Sequence, residues 1–464
     1  MQRGRLGAAL GMTGVLLAAV FAAFWWSPSP STPVDPAVLA RLELVEGPAP
    51  TAASPSGVRN VVLVIGCTLR KDQTSIYVPE LDTTPFLASL ADRGARLDDL
   101  IAAAPWTKAA STAVLTGRHA LEVGMVEQGP RRNEQVLPES VPTLAERFHA
   151  AGYRTIGATA NPNLHSTYGF HRGFQRYRQP AADWHGTGGV KVAGRSVAEL
   201  LLNDLVALDD GRPFFAQVMF VDAHSPFPDA GPVEGVPQTV ADYRRGLGRL
   251  DRAVRHLVEG LAQRGLDDDT LIVVVNDHGE GLRHPEHHGK SHGRYLSPSS
   301  VGGVGVFVGP GVPVGRTVMG IASQVDLAPT LWSLAGLPAR SDWGGEDLSA
   351  AIRGDAERTP RVRAYADTWF RRVSRAAFYE EGRACQLAGR DRQLTDVNGI
   401  TFHPGCFDRN ADPTHAHPKA DPTALRELNG WRLAALARGE SVVVERSEAA
   451  GGLDRQLEAL GYVD

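Results

Sequence analysis

The chain is predicted to fold as an α/β protein in which a mostly parallel central sheet is sandwiched by helices, with a smaller α+β subdomain at its C-terminal end. Continuous β-branched and leucine runs at 60–65 and 271–275, with further candidates at 214–221 and 304–308, are too short for helices and have the character of strands buried on both faces. Helical spacing lies between them. Leu247, Leu250, Val254, Leu257 and Leu261 fall on one face, and 142–151 and 327–334 follow a similar pattern. Strands alternating with helices imply parallel crossovers with helices on both faces of the sheet. At 464 residues and 43% hydrophobic content the chain can bury a large core and a smaller one, and its 50 glycines and 31 prolines suit many tight turns between short elements.

From the N-terminus, Arg3 and Arg5 precede an uncharged stretch at 6–26. At ~1.5 Å rise per residue this stretch spans roughly the ~30 Å core of a bilayer. Residues 1–27 are therefore expected to anchor the chain in a membrane, arginines inside and Trp25 and Trp26 at the far interface. A cleaved signal peptide is the alternative, although the stretch is longer than a usual signal core and no clear small-x-small cleavage site follows. On either reading the folded part is expected outside the cytoplasm, on the periplasmic or extracellular face. Residues 28–57, rich in Pro, Ser and Ala around a short apolar patch at 38–44, have the composition of a flexible linker. The main domain is expected over 58–358. From 359 the texture changes to short strand-like pieces, turn signals and a final helix near 453–460, which gives the α+β subdomain 359–464. Of three cysteines, Cys385 and Cys406 are either a disulfide of an oxidising compartment or two buried thiols. A net charge of -4 with both signs intermixed offers no clustered basic face, so nucleic acid is not an expected partner.

In such sheets ligands gather beyond the carboxyl ends of the strands. The chain places Cys67, Thr68, Arg70 and Asp72 after the first strand, Asp222 and His224 after 214–221, and Asn276, Asp277, His278 and Glu280 after 271–275. An Asp-His pair leaving a buried strand, followed by His284, His287, His288, Lys290 and His292, offers oxygen and nitrogen ligands for a divalent metal. Such an ion lowers the pKa of a hydroxyl or water and neutralises charge on a transferred phosphoryl or sulfuryl group. Surface histidine clusters are also common without metal, so the run alone is a weak signal.

Its surroundings strengthen it. The strand 60–65 followed by Thr68-Leu69-Arg70-Lys71-Asp72, the segment Ala104-Pro105-Trp106-Thr107 through Leu115-Thr116-Gly117, Val141-Pro142-Thr143-Leu144-Ala145-Glu146, Gly169-Phe170-His171-Arg172-Gly173-Phe174, Asp222-Ala223-His224, Asp277-His278-Gly279-Glu280-Gly281, His292-Gly293 and Val325-Asp326-Leu327-Ala328-Pro329-Thr330 occur in order across 60–337. Together they resemble the sulfatase family of the alkaline phosphatase superfamily. The resemblance implies an alkaline phosphatase-like α/β sandwich, a metal-dependent hydrolase of sulfate or phosphate and phosphonate esters, and a nucleophile at a helix start that attacks sulfur or phosphorus beside one divalent ion (zinc, calcium, magnesium or manganese). It places the nucleophile at Thr107, metal ligands at Cys67, Asp277 and His278, and His224 and His292 on the anionic ester substrate and its leaving group.

The sequence departs from that family at several positions. Thr107 is neither Cys nor Ser, so the formylglycine of the well-known sulfatases cannot form, and threonine resembles the phospho-transfer branch instead. Thr107 is equally placed to cap the helix it begins. Cys67 stands where the first metal aspartate is usual, Ala109 where a proline is, and Ser111 where an Arg or His is. A thiolate at Cys67 suits a softer metal, while a small buried residue left in a decayed site is the other reading. Lys108 and Lys290 are candidates, by spacing, to replace the missing positive charge. The alternative function is a catalytically inactive member that binds an anionic glycan or lipid headgroup.

Overall fold

The computed structural model describes residues 40–57, 59–126, 135–181, 191–282, 292–370, 373–388 and 403–442. The anchor or signal segment at 1–27, Lys290 with His284, His287 and His288, and the helix expected near 453–460 lie outside them. Among the described residues no helix is long and apolar enough to cross a membrane. All of the described residues belong to one compact unit, Pro36–Asp464.

A ten-stranded sheet forms the centre. Its strands are β1 (Leu42–Glu46), β2 (Asn60–Gly66), β3 (Ala95–Ile101), β4 (Arg154–Thr159), β5 (Arg176–Pro180), β6 (Phe214–Phe220), β7 (Thr270–Asn276), β8 (Gly302–Gly303), β9 (Gly305–Val308) and β10 (Arg316–Ser323). Their order is β1-β5-β4-β6-β2-β7-β9-β3-β10, with β8 on β3. Parallel pairing runs from β5 through β4, β6 and β2 to β7. The edge strand β1 is antiparallel to β5, and β9 runs antiparallel to both β7 and β3. The predicted class therefore holds. The central strands are apolar on both sides because both faces are covered: Val61 to Ile65 and Val273 to Val275 are 0–1% exposed.

Helices α1 (Pro85–Asp92), α2 (Thr107–Thr116), α3 (Leu144–Ala150), α4 (Gly194–Ala207), α5 (Gln238–Gln263) and α6 (Leu327–Leu334) connect the strands. The stripe Leu247, Leu250, Val254, Leu257 and Leu261 of α5 is wholly buried. Asp251 on that face accepts the Phe86 and Leu87 N–H groups at the start of α1, so one helix caps another. The family-like Thr143 to Glu146 stretch is a capping box: Thr143 Oγ1 accepts the Glu146 N–H at 3.0 Å and Glu146 Oε2 the Thr143 N–H at 2.8 Å.

The linker expected over 28–57 is corrected within its described part. Residues 42–46 form β1, paired with β5 from Leu42↔Pro180 to Glu46↔Arg176. Leu42 is buried by this pairing. The chain beyond β1 is held too, because Arg212 Nη1 donates to the Ala52 carbonyl at 2.7 Å. A Pro-rich composition hid these contacts, which depend on a strand far along the sequence.

A second, antiparallel sheet follows, with β11 (Ala364–Phe370), β12 (Val373–Glu380), β13 (Arg383–Ala388) and β14 (Gly405–Asp408), and α7 (Pro422–Glu440) lies on its outer face. Its inner face joins the first domain through Ala364, Ala366, Ala377 and Tyr379 against Ile101, Leu296 and Val301. Cys385 and Cys406, opposite each other on β13 and β14, form a disulfide.

Candidate active site

Register builds the site. In the parallel pair β2–β7, Gly66 stands opposite Asn276, so the next residues outward, Cys67 and Asp277, leave the sheet side by side. Thr68 turns the chain with φ +55°, a left-handed conformation uncommon for a β-branched residue, and this aims its N–H at Asp277 Oδ1 at 2.9 Å. Tyr243 of α5 fixes that turn, donating to the Thr68 carbonyl at 2.6 Å and accepting the Arg70 N–H at 2.8 Å. The His278 N–H also donates to Asp277 Oδ1, at 2.7 Å. Asp277 Oδ2 is buried with no hydrogen-bond partner.

His278 Nδ1 lies 2.8 Å from the Gly279 carbonyl and donates its proton there, which leaves the Nε2 lone pair facing the site. Burial lowers the His278 pKa, so the ring is neutral. Atoms of Cys67, Asp277 and His278 lie within 4.8 Å of one another, and all three residues are buried. A cysteine sulfur, a carboxylate oxygen lacking any hydrogen bond and an imidazole lone pair thus converge. That donor set fits a divalent ion and offsets its charge.

Thr107 opens α2 beside these groups. Its Oγ1 is 3.3 Å from His278 Nε2 and 3.9 Å from Cys67 Sγ. The capping role open to it is not taken up: the N-cap is Trp106, and the helix start has no side-chain cap bond. The hydroxyl is turned into the site.

An imidazole row continues outward. The His278 and His292 rings are 4.6 Å apart, and those of His292 and His224 5.2 Å. His292 Nδ1 faces both Glu280 oxygens at 3.3 and 3.4 Å. Burial alone would raise the Glu280 pKa, but the charge and hydrogen bond of His292 outweigh it and hold the carboxyl at about 2. His224 is different, because burial pushes its pKa well below the usual value and keeps it neutral.

Other sequence candidates have supporting places. Arg70 is chelated by Asp72 at 2.6 and 2.7 Å and donates to the Glu280 carbonyl at 3.0 Å, tying the β2 loop to the β7 loop. Asp222 accepts the Gly194 N–H at the start of α4. Lys108 points elsewhere: its Nζ donates to the Gln135 carbonyl at 3.1 Å over the Tyr168 ring. Sequence reasoning missed Asn161, which follows β4 and donates from Nδ2 to Cys67 Sγ at 3.4 Å, with its Oδ1 held by the Asn163 N–H at 3.0 Å. Lys191, whose Nζ donates to the His224 carbonyl, was missed as well. The one available signal for Asn161 was its place after an αβ repeat.

The Sulfatase family model matches residues 59–337. A low-salt glycan biosynthesis sulfotransferase, Agl7 of Haloferax volcanii, is 26% identical over 308 residues, 63% of this chain and 65% of that protein, so the match spans just under two thirds of that relative. Arylsulfatase A of Bos taurus is 25% identical over 487 residues, covering 88% of this chain and 93% of the relative. Among solved structures, a 2-O GAG sulfatase superposes with a TM-score of 0.65 at 17% identity, covering 85% of this chain and 96% of that one. The phosphonate monoester hydrolase of Agrobacterium radiobacter gives 0.61 at 18% identity, with 84% and 97% covered. At such identities the superpositions speak for the fold.

Proposed function

The chain belongs to the sulfatase family of ester hydrolases, and from that premise we propose a metal-dependent hydrolase of sulfate or phosphate and phosphonate esters that uses Thr107 as its nucleophile. The observation that carries this reading is the convergence of Cys67, Asp277 and His278 on the Thr107 hydroxyl. Cys67 Sγ, Asp277 Oδ2 and His278 Nε2 would hold a divalent ion, which when bound activates a hydroxyl and offsets charge on the ester. With a sulfur ligand, a thiophilic ion such as zinc suits the set better than calcium or magnesium.

Thr107 Oγ1, its hydroxyl proton released to solvent, attacks sulfur or phosphorus as the bond to the leaving oxygen breaks, and it regains a proton from solvent when its ester is hydrolysed. His292, its Nδ1 set against the Glu280 carboxylate, gives a proton to that oxygen. His224 lines the place of the anionic head, its one ring proton held by the Ser225 carbonyl at 2.6 Å. Water then hydrolyses the threonine ester, with His292 taking back a proton. The Cys385–Cys406 disulfide supports an oxidising compartment, in keeping with a folded domain held outside the cytoplasm by the segment 6–26.

The test is metal content by elemental analysis, with turnover of aryl phosphate, phosphodiester, phosphonate and sulfate by the wild type and Thr107→Ala. Near-stoichiometric metal with turnover lost by at least about a thousandfold in the variant is expected. Unchanged turnover in Thr107→Ala sinks the nucleophile, and a protein with neither metal nor turnover is the inactive, anion-binding member instead.

A further inference from the structure

An ester anion needs positive charge, and the chain lacks it at the position where its family carries an Arg or His. Position 111 is Ser, its hydroxyl buried without a hydrogen-bond partner. Lys108 is turned toward Gln135 and Tyr168, and Arg70 is chelated by Asp72. Neither cation is free to serve.

Lys191, in the segment just before α4, occupies a different place. Its Nζ donates to the main-chain carbonyl of His224, the outermost member of the row that runs through His292 and His278 to Thr107. Among the described residues this is its one hydrogen bond, and an ammonium has three N–H donors. The groups facing it are Asp222 from the β6 loop, Cys67 from the β2 loop, Arg249 from α5 and Glu280 from the β7 loop. Asp222 accepts the Gly194 N–H, and among the described residues the amine makes no hydrogen bond to it. Burial outweighs these charges and lowers the Lys191 pKa to about 8, which leaves it mostly cationic at neutral pH.

We propose that Lys191 binds the anionic head of the ester and so replaces the cation missing at position 111. This rests on Thr107 marking the ester site. An ammonium held against the His224 carbonyl, with two N–H groups in reserve, stands beside the groups that would surround a sulfuryl or phosphoryl oxygen. Its position before α4 falls outside the stretches that resemble the family, which is why spacing pointed to Lys108 and Lys290.

The experiment is calorimetric titration of the metal-loaded full-length protein with inorganic phosphate and inorganic sulfate, in wild type, Lys191→Met, Lys191→Gln and Lys191→Arg, with melting curves for each. Glutamine keeps an N–H for the His224 carbonyl and removes the charge, and arginine keeps both. The expected result is affinity reduced about tenfold or more in the Met and Gln variants, retained within about threefold in Arg, and a raised KM with kcat little changed for the best ester. Wild-type affinity in Lys191→Gln overturns the proposal, as does loss in Arg as large as in Gln. Should Lys191→Met fail to fold, the Gln and Arg pair still decides. Failure of the hydrolase reading shows separately, in Thr107→Ala turnover.

Discussion

Cys67 is where this chain differs most from a site built for a hard cation. Its sulfur stands with Asp277 and His278 in one cluster, and Asn161 Nδ2 donates to it at 3.4 Å. Replacing Cys67 by Asp should exchange a soft ligand for a hard one. The expected outcome is a shift of bound metal from zinc toward magnesium or calcium in elemental analysis, with loss of the sulfur-to-metal charge-transfer band that cobalt would give in the wild type. Asn161→Ala leaves the three ligands in place and removes only the group that orients one, so metal affinity by chelator competition should fall about tenfold. Full affinity in that variant would show that the contact is packing alone. That Cys67, Asp277 and His278 gather in one place was legible in the sequence because each closely follows a buried strand. Asn161 and Lys191 were not, since their proximity depends on β4 and β6 being neighbours and on a segment outside any strand.

At the scale of elements, burial decided what could be read. β2, β6 and β7 are apolar on both faces and stood out. β4 is equally buried but is built of small and polar residues, and Gly157 is required there because a Cβ would come within 2.5 Å of the Tyr177 ring. β5 carries Arg176 and Arg178, both bonded to Asp204 of α4, so its polarity serves a partner the sequence does not announce. Helix α7 buries Ala424, Leu428, Arg432, Ala435 and Gly439, a face with a single large apolar residue, and its pattern was invisible. That helix docks on the turn 120–123, where His119 packs edge-on against Trp431 at 5.2 Å. Burial lowers the His119 pKa to about 4, with Glu122, Arg361, Asp326 and Arg438 as lesser influences. Between the unfolded value near ~6.5 and about 4 the unfolded chain binds the proton and the fold does not, so stability is full above that window and falls as pH drops through it, by up to about 3 kcal/mol. In His119→Gln, denaturation midpoints measured from pH 7 to pH 4 should lose that part of the slope. An unchanged slope would assign the acid sensitivity to other groups.

Across the whole molecule the second sheet braces the first at the edge of the site. Arg409, just after β14, forms a bidentate pair with Asp99 of β3 at 2.6 and 2.7 Å, and the disulfide closes a separation of 21 residues between β13 and β14. A loop of that length predicts a loss of about 3 kcal/mol in the Cys385→Ala/Cys406→Ala double variant, read as a lower denaturant midpoint. The bracing also reaches the chemistry. Arg375 Nη1 donates to the Arg294 carbonyl at 2.9 Å, Tyr379 Oη to that of Leu296, and Thr368 Oγ1 to that of Gly293, the residue next to His292. His292 is therefore positioned from two sides, by the Glu280 carboxylate and by a strand that begins at Ala364. Thr368→Val preserves shape and volume but leaves the buried Gly293 carbonyl without this donor, at a cost of roughly 1–3 kcal/mol. If the second sheet sets the position of His292, turnover in that variant should fall about tenfold while metal content stays at the wild-type level, because Cys67, Asp277 and His278 directly follow strands β2 and β7 of the first sheet. A melting temperature lowered with turnover intact would instead confine the second sheet to a structural role, and the Glu280 carboxylate alone would then hold His292 in place.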